Sequence, residues 1–273
     1  MVLANIGCGT TFHPDWINLD LYSSSPNVRA YDVTRGMPFP DNSLDAVYLS
    51  HMLEHLEKTT ARAVLSESFR VLCSGGVVRV VVPDLEGIVR AYLAALERAI
   101  DGNADDEANY NWMMLELYDQ AVRTVGGGDM GRYLTDSNLR NRDFVRSRMG
   151  FWVDEVWQTE RPKSLLARIR SKNPQWWLSK AQLTLAKAML WPLLGPRSAA
   201  ALEEGLFRQS GQIHKWMYDR YSLGRLLTQV GFSGIQVCTA TRSRIPDFAQ
   251  FELDAVNGQP RKPDSLYMEG IKL

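Results

Sequence analysis

The sequence predicts an α/β fold: a doubly wound, mostly parallel sheet with a large helical insertion. Three observations predict it. Short apolar strands alternate with helical spacers in the first third of the chain, and the first strand runs straight into a glycine loop. Strand signals then vanish between residues 85 and 211, to return at the end.

Val2–Ile6 is the first strand and leads into Gly7-Cys8-Gly9-Thr10. Glycines after a buried strand let a ligand approach the backbone closely, because glycine has no Cβ and takes any φ. Trp16–Asp20 is the second strand, and its terminal carboxylate is placed to accept hydrogen bonds from a ribose diol. Together they indicate a nucleoside-type cofactor site. Phe12 stands where the third glycine of the dinucleotide fingerprint would be, and Asp20 follows too soon after Gly9, which argues against NAD or FAD. Only Thr10 to Asp15 separate the two strands. That connection reaches roughly 20 Å fully extended, against roughly 16 Å to travel back along a five-residue strand, so a parallel pairing is tight and leaves no room for a helix.

Val28–Tyr31 and Leu44–Leu49 read as the third and fourth strands. Glu57–Leu72 is helical, with Val64, Leu65, Ser68, Val71 and Leu72 forming one stripe; Ser74-Gly75-Gly76 stops it. Val77–Val82 is a β-branched strand bounded by Pro83. Helical spacing then covers Leu85–Ala99, Tyr110–Val125 and Leu183–Leu194, with Gly126-Gly127-Gly128, Pro192 and Pro196 as breakers. Ser222 is the expected cap of a helix over Leu223–Val230, closed by Gly231. Ile235–Thr239 and Leu266–Leu273 read as the last two strands. The expected organisation is a cofactor-binding core of residues 1–84 and 212–273, with 85–211 as a helical cap for the substrate.

Composition narrows the class. The 273 residues are 45% hydrophobic and 23% charged, with net charge +0 and pI ≈ 6.9, so nothing points to nucleic acid. Cys8, Cys73 and Cys238 lie far apart without CxxC spacing, which argues against a disulfide framework or a structural zinc site. The chain starts inside its first strand, and no apolar run reaches the roughly 18 residues of a spanning helix. A cytoplasmic protein is expected. The insertion is acidic between Asp84 and Asp119, whereas 161–197 is basic and carries Trp176, Trp177 and Trp191. Two readings stand for that basic stretch. Its tryptophans pack in the core of the cap, or it touches a lipid-linked substrate or the inner membrane face peripherally.

Asn5-Ile6-Gly7-Cys8-Gly9-Thr10 resembles the glycine motif of class I S-adenosylmethionine-dependent methyltransferases. The resemblance continues in family order through Asp20, Ala30-Tyr31-Asp32-Val33, Met37–Val47, Ser50-His51-Met52-Leu53-Glu54-His55-Leu56 and Arg70–Gly76. The subgroup it looks most like has a shortened first crossover and often acts in glycan or polysaccharide biosynthesis. The resemblance implies a Rossmann-like sheet of seven strands and, for the tight first pair, a parallel arrangement. It implies S-adenosylmethionine as cofactor, with S-adenosylhomocysteine as product. Asn5, Gly7, Cys8 and Gly9 would line the methionine portion, and Asp20 with Leu21 the ribose. Asp32 and Val33 would meet the adenine edge, and Ser50 and His51 would face the methyl group.

His51, Glu54 and His55 can share one helical face. Related O-methyltransferases with an acid in place of His51 hold magnesium there; a histidine disfavours that hard cation. His-x-x-Glu-His is also the inverzincin pattern, but no third ligand is identified and no metal is expected. Glu54 and His55 read as residues that fix the loop by hydrogen bonds, and His51, by its position, as a candidate general base. His214, on the segment returning from the insertion, is the second candidate base, and His13 the third. The expected activity is O-methylation of a sugar hydroxyl or a glycan or glycolipid intermediate. The alternatives are O- or N-methylation of a non-sugar natural product, and a non-catalytic binding protein on the same fold.

Overall fold

A computed structural model describes residues 1–23, 25–102, 104–159, 174–195 and 197–273. Strands β1 (Leu3–Ile6), β2 (Ile17–Asp20), β3 (Val28–Ala30), β4 (Leu44–Ser50), β5 (Leu72–Pro83), β6 (Ser233–Cys238) and β9 (Ser265–Ile271) build one seven-stranded sheet; β7 (Ala255–Val256) and β8 (Gln259–Pro260) form a separate hairpin. The order is β3-β2-β1-β4-β5-β9-β6, and β9 runs antiparallel to both its neighbours. The tight first pair is parallel, with Ala4 opposite Ile17 and Ile6 opposite Leu19. The chain winds one way from β1 to β3 and the other way from β4 to β5, so a crevice opens beyond the ends of β1 and β4.

Side chains alternate between the two faces of the sheet, as the two-residue period requires. On one face Ala4, Ile6, Val47, Leu49, Val78 and Val80 pack with residues of α1 (Lys58–Val71) and α9 (Arg220–Val230). Ala61, Val64, Leu65, Ser68 and Val71 form the buried stripe of α1, as expected. Leu72 belongs to β5 instead, where it pairs with Leu44 before a bulge restores the register at Val77 opposite Ala46. The cap of α9 is Asp219, three residues ahead of the expected Ser222. Asp219 Oδ1 accepts the Ser222 N–H at 2.7 Å, and Ser222 Oγ accepts the Asp219 N–H at 3.0 Å. This reciprocal pair satisfies two orphan amides at once, which Ser222 alone could not do.

The other face is covered without a long helix. Ala240, Ile245, Phe248, Phe251 and Leu253 lie over Leu3, Ala46, Tyr48, Val77, Val81 and Tyr267, with Trp16 among them. This cover comes from the connection between β6 and β9, where strand and helix periodicity are both missing. It carries a short 3-10 turn, Phe248–Phe251, and the β7–β8 hairpin. Arg79, the one cation in the Val77–Val82 run, points into this layer and is wholly buried. Its Nε donates to Asp254 at 2.7 Å, Nη1 to Glu269 at 2.8 Å and to the Arg242 carbonyl at 3.0 Å, and Nη2 to the Thr239 carbonyl at 2.8 Å. Tyr48 donates to the second Asp254 oxygen at 2.5 Å. A buried cation survives there because two carboxylates and two carbonyls replace its water.

Between β5 and α9 the described chain is helical: α2 (Leu85–Ile100), α3 (Ala104–Val122), α4 (Gly128–Leu134), α5 (Arg142–Met149), α6 (Trp152–Thr159), α7 (Pro174–Leu194) and α8 (Arg197–Arg208). Ile88, Trp112, Met113, Met130, Leu134, Val145 and Val153 give this region a core of its own. α3 starts six residues before the expected Tyr110. Asp105, Asp106 and Glu107 fill its first turn, where acids meet the positive end of the helix dipole. Pro192 lies inside α7 rather than ending it. Five of the eight bases of this stretch, Arg161, Lys163, Arg168, Arg170 and Lys172, together with Pro196, fall outside the described residues. On α7, Trp177 and Trp191 are 47% and 61% exposed, so these two rings do not pack in the helical core. Among the described residues no helix is long and apolar enough to cross a membrane.

Candidate active site

A cavity of about 500 Å³ occupies the crevice. Asn5, Gly7, Cys8, Gly9, Thr10 and Thr11 line it from β1 and its loop; Ser50 and His51 do so from the end of β4. The two loop glycines have different reasons. A Cβ on Gly7 would lie 2.8 Å from Met52 Cγ, so Gly7 is set by packing. Gly9 has φ +54 and nothing within 4 Å of its Cβ position, which leaves open space beside the backbone. Asn5 holds the loop through Nδ2 bonds to the Thr11 carbonyl and to Asn18, both at 3.1 Å, while its buried Oδ1 has no hydrogen-bond partner. Burial first, and then the nearby Asp20 carboxylate, push the Cys8 thiol up to about 11, so it stays protonated.

Asp20 sits beside the loop rather than in the cavity lining. It accepts the Gly9 N–H at 2.8 Å and the Tyr22 N–H at 3.1 Å, one on each oxygen. A carboxylate offers about four acceptor positions, so both oxygens keep capacity for ribose hydroxyls. Leu21, next to it, is exposed. Asp32 lies two residues past the end of β3 and caps the 3-10 turn Val33–Arg35. Its Oδ1 accepts from Thr34 N at 3.1 Å and from Thr34 Oγ at 2.6 Å, and these bonds hold its pKa below the usual carboxylate range. Val33 is buried beneath that turn. Asp20 ends β2 and Asp32 lies just past β3, the adjacent strand, on the side of the crevice expected to take a nucleoside. The open Gly9 face, the unpartnered Asn5 oxygen and the spare acceptor positions of Asp20 together fit S-adenosylmethionine.

His51 has a left-handed backbone, φ +50, directly after β4. Its amide donates to the Val81 carbonyl at 2.8 Å, which locks the turn onto β5. Nδ1 lies 3.2 Å from Glu54 Oε1, and Nε2 lies 3.0 Å from Ser265 Oγ. Burial, with the Lys262 charge second, lowers the His51 pKa to about 4 against the attraction of Glu54. Its ring is therefore neutral near pH 7. Strained residues of this kind concentrate where a side chain must be aimed.

His214 is not in the cavity lining. It is buried behind the loop, its ring edge-on to His55 with centroids 4.9 Å apart, and its amide donates to the Gln120 carbonyl at 2.8 Å. Burial brings its pKa to about 3. His13 stacks edge-on against Phe251.

Several cavity residues carry no local signal in the sequence. Tyr48 and Tyr267 come from the sheet, Asp254, Arg261 and Lys262 from the β6–β9 connection, and Phe151 and Trp152 from the α5–α6 junction. Gly150 explains how the last pair gets there. It has φ +72, and a Cβ on it would lie 2.3 Å from the Arg261 carbonyl oxygen, so only glycine lets the two segments touch. The Arg261 guanidinium then lies 5.6 Å from the centre of the Phe151 ring.

The family model described as "Methyltransferase domain" matches residues 8–80, which run from the glycine loop into β5. No curated protein matches the sequence. Among solved structures, a methyltransferase dependent on S-adenosylmethionine from Archaeoglobus fulgidus is similar at 11% identity and a TM-score of 0.39, over 99% of this chain and 85% of that one. One from Mesorhizobium loti is similar at 12% identity and a TM-score of 0.37, over 99% and 90%. One from Thermotoga maritima is similar at 10% identity and a TM-score of 0.37, over 100% and 82%. Likenesses this distant carry no argument, so the weight falls on the matched domain and on the strand order. Residues 8–80 thus match a methyltransferase domain, set in a seven-stranded, mostly parallel Rossmann-like sheet.

Proposed function

We propose that the enzyme methylates a hydroxyl of a sugar, or of a glycan or glycolipid intermediate. The observation that carries this reading is the remainder of the cavity lining. Beyond the glycine loop it combines the rings of Phe151, Trp152 and Tyr267 with the charged groups of Asp254, Arg261 and Lys262. Aromatic faces suit the C–H faces of a sugar ring. The two cations suit a phosphate on it, and an acid accepts hydroxyl protons. On α7 the exposed Leu178, Leu185, Met189 and Trp191, with Lys180 on the same helix, support an acceptor carried on a lipid.

When bound, S-adenosylmethionine supplies a methyl group on a sulfonium, open to in-line displacement by an acceptor oxygen. The chain's residues position the two reactants. Gly9 admits the cofactor against the backbone, and Asp20 and Asp32 hold its nucleoside end. His51 is the group placed to take the acceptor proton. Its Nδ1 faces the Glu54 carboxylate, which favours the tautomer with Nε2 free to accept. Nε2 now meets the Ser265 hydroxyl, and the acceptor hydroxyl would take that place or pass its proton through Ser265. His214 lies behind this pair, so we assign it no contact with the acceptor.

The test is formation of S-adenosylhomocysteine with nucleotide sugars and lipid-linked glycans, run beside phenols and amines. Turnover on a sugar hydroxyl supports the proposal. Turnover confined to phenols or amines would replace it with the natural-product reading. Cofactor binding without turnover on any class would favour a binding protein.

A further inference from the structure

We propose that Arg261 and Lys262 form an anion subsite beside His51, which selects acceptors carrying a phosphoryl group next to the hydroxyl to be methylated. The inference rests on the acceptor reading above and narrows it to phosphorylated sugars. Both residues line the same cavity as His51, and both belong to the short link between the β7–β8 hairpin and β9.

The link is held at both ends, so the two cations are aimed in advance. The Arg261 amide donates to the Asp254 carbonyl at 2.8 Å, and its Nε to the Glu252 carbonyl at 2.8 Å. With the Phe151 ring against the guanidinium, the two terminal nitrogens keep their donors, a fork that fits two oxygens of one phosphoryl group. The Lys262 carbonyl accepts the Tyr267 hydroxyl at 2.9 Å and the Ser265 amide at 3.3 Å. Among the described residues no carboxylate lies at ion-pair distance from either cation. Asp254, the acid of the cavity wall, is already engaged by Arg79 and Tyr48. Burial lowers the Lys262 pKa against the pull of Asp264 and Glu54, so its charge is costly until an anion joins it. Two cations match the charge of about −1.5 to −2 on a phosphate ester better than they match one carboxylate.

Such an anion also acts on the base. The groups that face the His51 ring are Glu54, His55, Lys262 and the Ser265 hydroxyl. Burial first, and the Lys262 charge second, bring its pKa to about 4. A phosphoryl group on Lys262 offsets that charge and raises the His51 pKa toward neutrality, where a base is more effective. The acceptor thereby helps to prepare the group that deprotonates it.

The experiment uses full-length protein saturated with S-adenosylhomocysteine and titrated by calorimetry with glucose-1-phosphate, UDP-glucose and glucose. The expected result is binding of a phosphorylated probe at least about tenfold tighter than glucose, weakening as salt rises. The tighter of the two probes tells a terminal phosphate from a nucleotide diphosphate. Lys262→Gln should lose the preference and Lys262→Arg retain it, with the affinity for S-adenosylhomocysteine within a few-fold of wild type in both. Nuclear magnetic resonance titration of the His51 imidazole should show its pKa rising when the tighter probe is bound. Phosphorylated probes that bind no better than glucose, an unchanged preference in Lys262→Gln, or a His51 pKa indifferent to the probe would overturn the subsite. So would an equal loss of S-adenosylhomocysteine affinity in Lys262→Gln, because the cations would then hold the carboxylate of the cofactor. The wild-type titrations are decisive even where a variant folds poorly. They need no methyl transfer, so their failure leaves turnover on an uncharged sugar hydroxyl standing, and failure of turnover leaves probe binding measurable.

Discussion

The carboxylate of Asp20 accepts the backbone N–H of Gly9 at 2.8 Å, joining the end of β2 to the glycine loop after β1. Two strands with almost no chain between them are thereby held at one spacing, and the residue expected to bind the ribose also shapes the loop beside the methionine end. Cofactor affinity and loop geometry should respond together to a change at this position.

His51→Ala is expected to lower kcat by about 10²- to 10⁴-fold, the usual contribution of a positioned base, while leaving the dissociation constant of S-adenosylmethionine within a few-fold. Calorimetry and single-turnover kinetics separate the two. Equal losses in both would reduce His51 to a cofactor contact.

Gly150→Ala should move the aromatic wall of the cavity. The added methyl would collide with the Arg261 carbonyl and take up a φ of +72, so the α5–α6 junction must shift and carry Phe151 and Trp152 with it. KM for the acceptor should rise while cofactor affinity stays close to wild type. Unaltered acceptor kinetics would mean that this junction does not border the acceptor.

Asp254→Ala would leave the Arg79 cation buried and the Tyr48 hydroxyl without its acceptor. Breaking a buried pair from one side costs about 3–5 kcal/mol. Denaturant unfolding should show a loss of that order. A change below about 1 kcal/mol would show that water fills the gap.

Asp264 supplies a pH test. Burial, reinforced by Glu116, pushes its carboxyl up to about 6 despite the pull of Lys262 and Arg148, and its Oδ1 has no hydrogen-bond partner. The unfolded carboxyl titrates near 3.9, so between about 4 and 6 the folded chain holds a proton that the unfolded chain has released. Its contribution to stability is full below about 4 and is lost as pH rises to about 6. Asp264→Asn should therefore melt higher than wild type at pH 7.5, with the difference narrowing toward pH 4. A difference independent of pH would contradict the assignment.

The sheet was legible because its signals are local, and the residues proposed for the cofactor lie on those same local signals. Asn5–Thr10, Asp20, Asp32 and Ser50-His51 each sit at the end of a short apolar strand, and the strands alternate with a helix of plain 3.6-residue spacing. The rest of the cavity lining was not legible, because it is assembled from contacts without local pattern. Tyr48 meets Asp254 across 206 positions, and Gly150 reaches Arg261 only through a positive φ that many glycines share. One signal was present in plain form. Arg79 within Val77–Val82 and Glu269 within β9 are charges in central strands, and directly opposite registers bring them together. A cation and an acid in two such strands point to a buried network and to a third element that covers it. The same limit applies to His214. Its place on the return segment was readable, but its direction, toward Glu54 and His55 rather than into the cavity, depends on how the insertion closes.

The most direct measurement is calorimetric titration of the full-length protein with S-adenosylmethionine and S-adenosylhomocysteine, with NAD as control and Asp20→Ala in parallel. The account predicts micromolar binding of both sulfur compounds, none of NAD, and at least about a tenfold loss in Asp20→Ala, the equivalent of roughly 1.4 kcal/mol. Binding of NAD, no binding of either sulfur compound, or unchanged affinity in Asp20→Ala would contradict it.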